Sequence, residues 1–248
     1  AAYDGQDWSI EIVEEGSVGT HSSLAFDNNN HPHIAYYEHD NIDLKFAYHD
    51  GEQWNIQTVD SQGKVGPHTS LALDNNIKFH ISYNEWEEDD LKYAYWNGNS
   101  WEIETVASQG EVGTSTSIAI DSQNLPHISY YDNTHGLKNL IYASKNANDW
   151  SFQTVDSEGI VGSDTTLVFD KNDNPRISYY DMSNDALKYA YWTGSDWKIE
   201  TVANVGNFEW YESHSSLALD SNDKSHISFH DRNTEDLTLR IDNGTQFR

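Results

Sequence analysis

Residues 20–27 read THSSLAFD, and the chain returns to this phrase four more times. HTSLALD ends at Asp74, STSIAID at Asp121, DTTLVFD at Asp170 and HSSLALD at Asp220, at intervals of 47, 47, 49 and 50 residues after Asp27. Three further columns repeat in step. One reads HIAYYE from His33, HISYNE from His80, HISYYD from His127, RISYYD from Arg176 and HISFHD from His226. The next reads LKFAYHDG from Leu44, LKYAYWNG from Leu91, LIYASKN from Leu140, LKYAYWTG from Leu187 and LTLRIDNG from Leu237. The last is carried by Trp8, Trp54, Trp101, Trp150 and Trp197, each followed by a run such as EIETV.

Each segment is short, rich in β-branched and aromatic residues and bounded by turn residues, which is the signature of a strand. Asp50-Gly51, Asn97-Gly98 and Thr193-Gly194 join the third and fourth segments. A glycine there supplies the positive φ of a tight hairpin. Four antiparallel strands at a period near fifty residues predict propeller blades. The expected architecture is therefore all-β: one five-bladed propeller over residues 1–248. The small, smooth Ser-Leu-Ala segments suit the crowded inner position, and the Trp segments suit the outer one. The chain begins with an outer segment, Trp8 to Val13, and ends after a third strand. The N-terminal strand is thus expected to close the last blade.

The pattern G-x-V-G-x-H-S/T-S-L-A-L-D, P-H-I-S-Y-Y-D, L-K-Y-A and W resembles propeller-type repeats of exported bacterial and archaeal proteins. It covers essentially the whole chain and implies the architecture, with little about activity. Blade count and blade length are also similar to those of five-bladed invertebrate lectins and five-bladed glycosidases, whose own motifs are not evident here.

Composition narrows the partners. The 41 acidic and 14 basic side chains give a formal charge of −27. Such a surface repels phosphates, so neither nucleic acid nor anionic membrane is an expected partner. Insertion into a membrane is not expected, because no apolar run reaches the length of a span. Cysteine is absent, which removes disulfides and thiol chemistry. Abundant Asn, Asp, Gly and Ser with few lysines, and the small residues Ala1-Ala2, suggest a secreted or extracytoplasmic protein. Oligomeric state has no signature.

In this strand order, one face of the ring carries the loops entering the inner strands and those joining the second and third strands. Four sets of side chains fall there. His21, His68 and His214, with Asp164, stand at the entry to the inner strands and form a candidate set for a divalent metal such as zinc, copper or iron. Tyr37, Tyr131, Tyr180 and His230 end the second strands, each beside an acid, and suit sugar hydroxyls and ring stacking. An enlarged loop before the fifth inner strand brings Glu209, Trp210 and Tyr211. The loop after Glu85 adds Trp86. A second histidine column, His33, His80, His127 and His226, lies by the opposite face near the repeated Asp. It reads as structural Asp–His pairing, preserved by Arg176. Two functions follow. One is a lectin-like module for a glycan or another small polar ligand; the other is a metal-dependent hydrolase or lyase.

Overall fold

The computed structural model describes residues 1–3, 5–146, 149–206 and 214–242. An N-terminal ribbon pairs β1 (Ala2–Tyr3) with β2 (Trp8–Ser9). Blade 1 comprises β3 (Val18–Phe26), β4 (Pro32–Glu38), β5 (Asp43–His49) and β6 (Trp54–Asp60). Blade 2 comprises β7 (Ser70–Leu73), β8 (Phe79–Glu85), β9 (Asp90–Trp96) and β10 (Trp101–Ala107). Blade 3 comprises β11 (Val112–Ile120), β12 (Pro126–Asp132), β13 (Asn139–Lys145) and β14 (Trp150–Asp156). Blade 4 comprises β15 (Val161–Phe169), β16 (Pro175–Asp181), β17 (Ala186–Trp192) and β18 (Trp197–Asn204). Blade 5 comprises β19 (Ser215–Leu219), β20 (Ser225–Asp231) and β21 (Asp236–Ile241). Helix among the described residues is a single 3-10 turn, Thr134–Gly136. The five antiparallel blades and the strand order match the repeat reading.

The repeated residues hold the turns and the seams. Oδ1 of Asp27 accepts the amides of Asn29 and His31, both at 2.8 Å. Asp74, Asp121, Asp170 and Asp220 do the same two and four residues on. The residue between them, such as Asn30 (φ 63°) or Asn124 (φ 65°), takes the left-handed conformation that such a turn needs. The second histidine column packs against these carboxylates: His33, His80, His127 and His226 lie 3.8, 3.8, 3.3 and 3.5 Å from their Asp, and Arg176 lies 3.1 Å from Asp170. The structural reading of that column holds.

Inner strands of neighbouring blades pack without sheet pairing, so their outward amides need other acceptors. Serine supplies them. Ser23 Oγ accepts the amide of Leu71 at 3.0 Å, Ser70 that of Ile118 at 3.1 Å, and Ser117 that of Leu167 at 3.0 Å. The Val-Gly pair at each blade entry has its own cause. Gly66, Gly113 and Gly162 have positive φ, and a Cβ on them would lie within 2.8–3.2 Å of the Cα of Leu44, Leu91 and Leu140 in the preceding blade.

The seam between blades 5 and 1 departs from this pattern. Leu24 is 56% exposed although its counterpart Leu71 is 7% exposed, and Leu237 is 84% exposed although Leu44, Leu91, Leu140 and Leu187 are all at 0%. The expected closure of blade 5 by the N-terminal strand is corrected here. β2 pairs with β1 instead, and blade 5 has three strands among the described residues. A local ribbon closes a short loop, whereas pairing β2 with β21 joins the two ends of the chain. The end of the segment nevertheless keeps its place. Glu14 accepts from the Tyr36 hydroxyl and Lys45 Nζ, as Asp156 does from Tyr179 (2.8 Å) and Lys188 (3.1 Å) one blade boundary after another.

Replacing Ser117 with Ala leaves the buried Leu167 amide without its acceptor. The expected cost is about 1–3 kcal/mol, read as roughly 2–4 °C in Tm per kcal/mol for a chain of this size. Ser151→Ala, on the exposed outer strand, is expected to leave Tm within error. Equal melting of the two variants would remove serine from the account of blade docking.

Candidate functional site

The inner strands do not run smoothly to the channel mouth. β3, β11 and β15 each carry irregular register near their start, between Val18 and Ser23, Val112 and Ser117, and Val161 and Thr166. Within these bulges His21, Ser115 and Asp164 have φ of 51°, 51° and 49°, and His68 has 52° at the matching place in blade 2. His and Asp are among the non-glycine residues that tolerate this conformation best. A bulge re-aims a side chain out of the alternating pattern. Here the result is a ring of polar groups around the mouth.

That mouth is a cavity of about 640 Å³ contributed by all five blades, lined by His21, His68, Asp164 and His214 together with serine and threonine hydroxyls. The candidate set divides into two pairs. The His21 and His68 rings lie 4.9 Å apart between centroids, tilted by 52°. His214 Nδ1 lies 3.8 Å from Asp164 Oδ1. The Asp164 carboxylate also accepts the amide of Ser215, so it fixes the start of β19 as well. Among the described residues, no three His, Asp or Glu side chains are grouped so as to hold a metal ion.

The two pairs titrate in opposite directions. Burial, with the nearby His21, pulls the His68 imidazole down to about 4. Burial and the charge on His214 lower His21. The Asp164 carboxylate beside His214 raises its imidazole against a smaller desolvation effect. At neutral pH the His21–His68 side is a pair of uncharged rings with free nitrogens, and the other side is an acid–imidazole pair.

From the mouth a line of rings leads outward. Tyr37 lies 6.4 Å from His21, and Trp86 lies 6.1 Å from Tyr37. Trp86 is 48% exposed and anchored by its amide on Lys64 O at 2.9 Å, so its ring is available on the surface as the sequence implied. His39, 5.9 Å from Tyr37, joins the cluster. The sequence reading passed over it. It occupies in blade 1 the column that Trp86 occupies in blade 2, directly after the repeated acid, and this column varies between blades.

Other candidates sit differently. Tyr37, Tyr131 and Tyr180 are buried, at 4%, 4% and 0% exposure, and serve as packing between blades instead of open platforms for a sugar. Tyr37 fills the space above Gly66, where a Cβ would lie 3.1 Å from its ring. The acids of the next column cap the top turns: Glu38 takes the amide of Asn41, Glu85 those of Lys64, Glu87 and Glu88, and Asp181 those of Ser183 and Asn184. His230 lies 3.7 Å from Glu235 at the rim. Glu209, Trp210 and Tyr211 lie outside the described residues.

The pairs make a prediction for proton NMR. The His68 imidazole is expected to stay neutral down to about pH 4, while His214 protonates above the ordinary value. Asp164→Asn should return His214 toward that value and leave His68 in place. Because the unfolded chain binds a proton on His68 that the folded chain refuses, His68 lowers stability as pH falls from the ordinary histidine range toward 4. Co-titration of the two residues would contradict the pairing.

Neither a family model nor a curated relative matches the sequence. Solved structures do match its fold. A protein of unknown function from Dyadobacter fermentans is 10% identical over 89% of this chain and 77% of its own, with a TM-score of 0.63. The fucose-specific lectin from Aleuria aurantia is 13% identical, over 88% and 72%, with a TM-score of 0.62. A polysaccharide lyase, an ulvan lyase bound to a sulfated rhamnose–glucuronate unit, is 12% identical, over 92% and 68%, with a TM-score of 0.61. At these identities the similarity is one of propeller fold.

Proposed function

We propose that the protein is a carbohydrate-binding propeller of an extracytoplasmic setting, taking an uncharged glycan at the channel mouth. One observation carries this reading. A polar cavity of about 640 Å³ opens beside an exposed Trp86, with Tyr37 and His21 bridging the two. Sugar binding needs an exposed aromatic face for the apolar side of the ring, together with donors and acceptors for its hydroxyls. Trp86 supplies the face. The imidazoles, the hydroxyls and Asp164 supply the polar partners. A net charge of −27 argues for an uncharged ligand over an anionic one. The lectin and the polysaccharide lyase among the structural neighbours support a carbohydrate ligand by fold analogy.

The second reading is a metal-dependent hydrolase or lyase. The observation in its favour is the neutral His21–His68 pair facing one cavity with His214 and Asp164. Neutral imidazoles are what zinc, copper or iron(II) require. In this reading His21 and His68 would hold the ion, which would supply activation of a water molecule. The paired geometry favours the binding module.

Trp86→Ala decides between them. The ring is half exposed, so Tm is expected to stay within about 1 °C. Affinity for neutral oligosaccharides on a glycan array and by calorimetry is expected to fall by about tenfold or more, as loss of a stacking platform implies. Unchanged glycan affinity, together with stoichiometric zinc, copper or iron in protein purified without chelator, would replace this reading with the metal enzyme.

A further inference from the structure

On the face opposite the channel mouth, neighbouring blades meet in grooves whose lining the repeat specifies. Trp96 and Trp192 end the third strands of blades 2 and 4, with rings 5.4 and 5.6 Å from Trp101 and Trp197. Gln57 and Gln153 accept the indole N–H of Trp101 and Trp197 at 3.1 and 3.0 Å. The groove between blades 2 and 3 is built differently. Lys145 stands at the position of Trp96 and Trp192, and Glu104 at that of Gln57 and Gln153, a position that Glu200 also holds in blade 4. Glu104 accepts from Lys145 Nζ and from Trp150 Nε1 (2.7 Å), and Lys145 Nζ lies 5.2 Å from the Trp150 ring centre.

The two grooves also differ in filling, because blade 2 has Phe79 where Pro32, Pro126 and Pro175 stand in blades 1, 3 and 4. Phe79 fills the groove between blades 1 and 2, 4.7 Å from Phe46. Its counterpart between blades 2 and 3 is Pro126. The cavity between blades 2 and 3 is about 530 Å³, whereas that between blades 1 and 2 is about 230 Å³. The larger value lies within the range of small-ligand sites.

We infer that this groove is a second ligand site, for a short stretch of neutral saccharide. Tyr95 lines it with a partly exposed ring, and Lys78 Nζ donates to the Tyr95 hydroxyl at 2.6 Å. Lys78 and Lys145 are donors; Glu102 and Glu104 are acceptors on the same wall. The two ammonium groups are outnumbered by Asp74, Glu102 and Glu104, so an anion gains nothing there. A polyhydroxylated, uncharged ligand uses both donor and acceptor sets and lays its apolar side on the tyrosine. The site rests on observations separate from the channel mouth, and its failure leaves that reading intact.

The test plugs the groove with the molecule's own alternative. Lys145→Trp combined with Glu104→Gln installs the tryptophan and glutamine that the boundaries between blades 1 and 2 and between blades 3 and 4 carry, so Tm should be retained. Calorimetry and saturation-transfer NMR would use short neutral oligosaccharides of glucose, galactose and xylose, with uronate and sulfated oligosaccharides alongside. The parent is expected to show two classes of neutral site. The double variant should lose one, and Trp86→Ala should lose the other. Lys78→Ala, a change at a half-buried side chain on the groove wall, should weaken the groove site by about tenfold, the loss of one charge-assisted hydrogen bond; it decides the matter if the double variant does not fold. A parent with a single class of site that depends on Trp86 would overturn the groove and keep the channel mouth. Loss confined to uronate or sulfated ligands would overturn the neutral assignment.

Discussion

The inner strand of each blade has one edge paired to its own sheet and one edge facing its neighbour across a non-sheet contact. An edge of unpaired amides is costly when buried and hazardous when exposed. The chain meets this constraint with side chains. Ser23, Ser70 and Ser117 accept an amide from the next inner strand, two residues after a bulge that starts each boundary. Small residues on this strand let the blades approach closely enough for a hydroxyl to reach across. The glycine before the bulge does likewise for the leucine of the preceding blade. The bulge then has a second consequence. Its left-handed residue turns away from the sheet toward the axis, so one backbone device both docks the blades and builds the polar mouth.

Much of this was legible in the sequence because it repeats. Five copies of one phrase define strand order, blade count and face, and the repeated Asp beside a His or Arg reads as a turn held from two sides. The closure of blade 5 was less legible. Tryptophan periodicity marks Trp8 as an outer strand, but periodicity carries no term for the short-range pairing of β2 with β1. Glu14 keeps the position that the repeat assigns. Site residues were legible unevenly for a related reason. Tyr37, Tyr131 and Tyr180 share one column in three of the five blades, and all three are buried in packing between blades. Trp86 belongs to a variable column and is exposed; His39, its counterpart, was the missed case. Lys145 and Glu104 were missed because each is unremarkable alone. Their meaning appears only when the indole that Glu104 accepts is seen to come from the next blade.

The general claim is that packing makes blades alike and ligands make them differ. The channel mouth has His, His, Ser, Asp and His at one backbone position, where a single residue type would satisfy the bulge. The groove between blades 2 and 3 has Lys145 and Glu104 where the grooves on either side have Trp and Gln, and it is larger than the groove between blades 1 and 2. Both departures raise local polarity without adding net positive charge, in a protein whose surface already disfavours anions. They point to the same class of ligand from opposite faces of the ring.

Peptide-resolved hydrogen exchange with and without a saturating neutral oligosaccharide tests this claim most directly. Protection is expected in the segments around residues 20–23, 66–70 and 85–88 at the mouth, and around 76–78, 102–104 and 143–146 at the groove, with the Asp turns of blades 1, 4 and 5 unchanged. Protection distributed equally over all five repeats, or none at saturation, would contradict it.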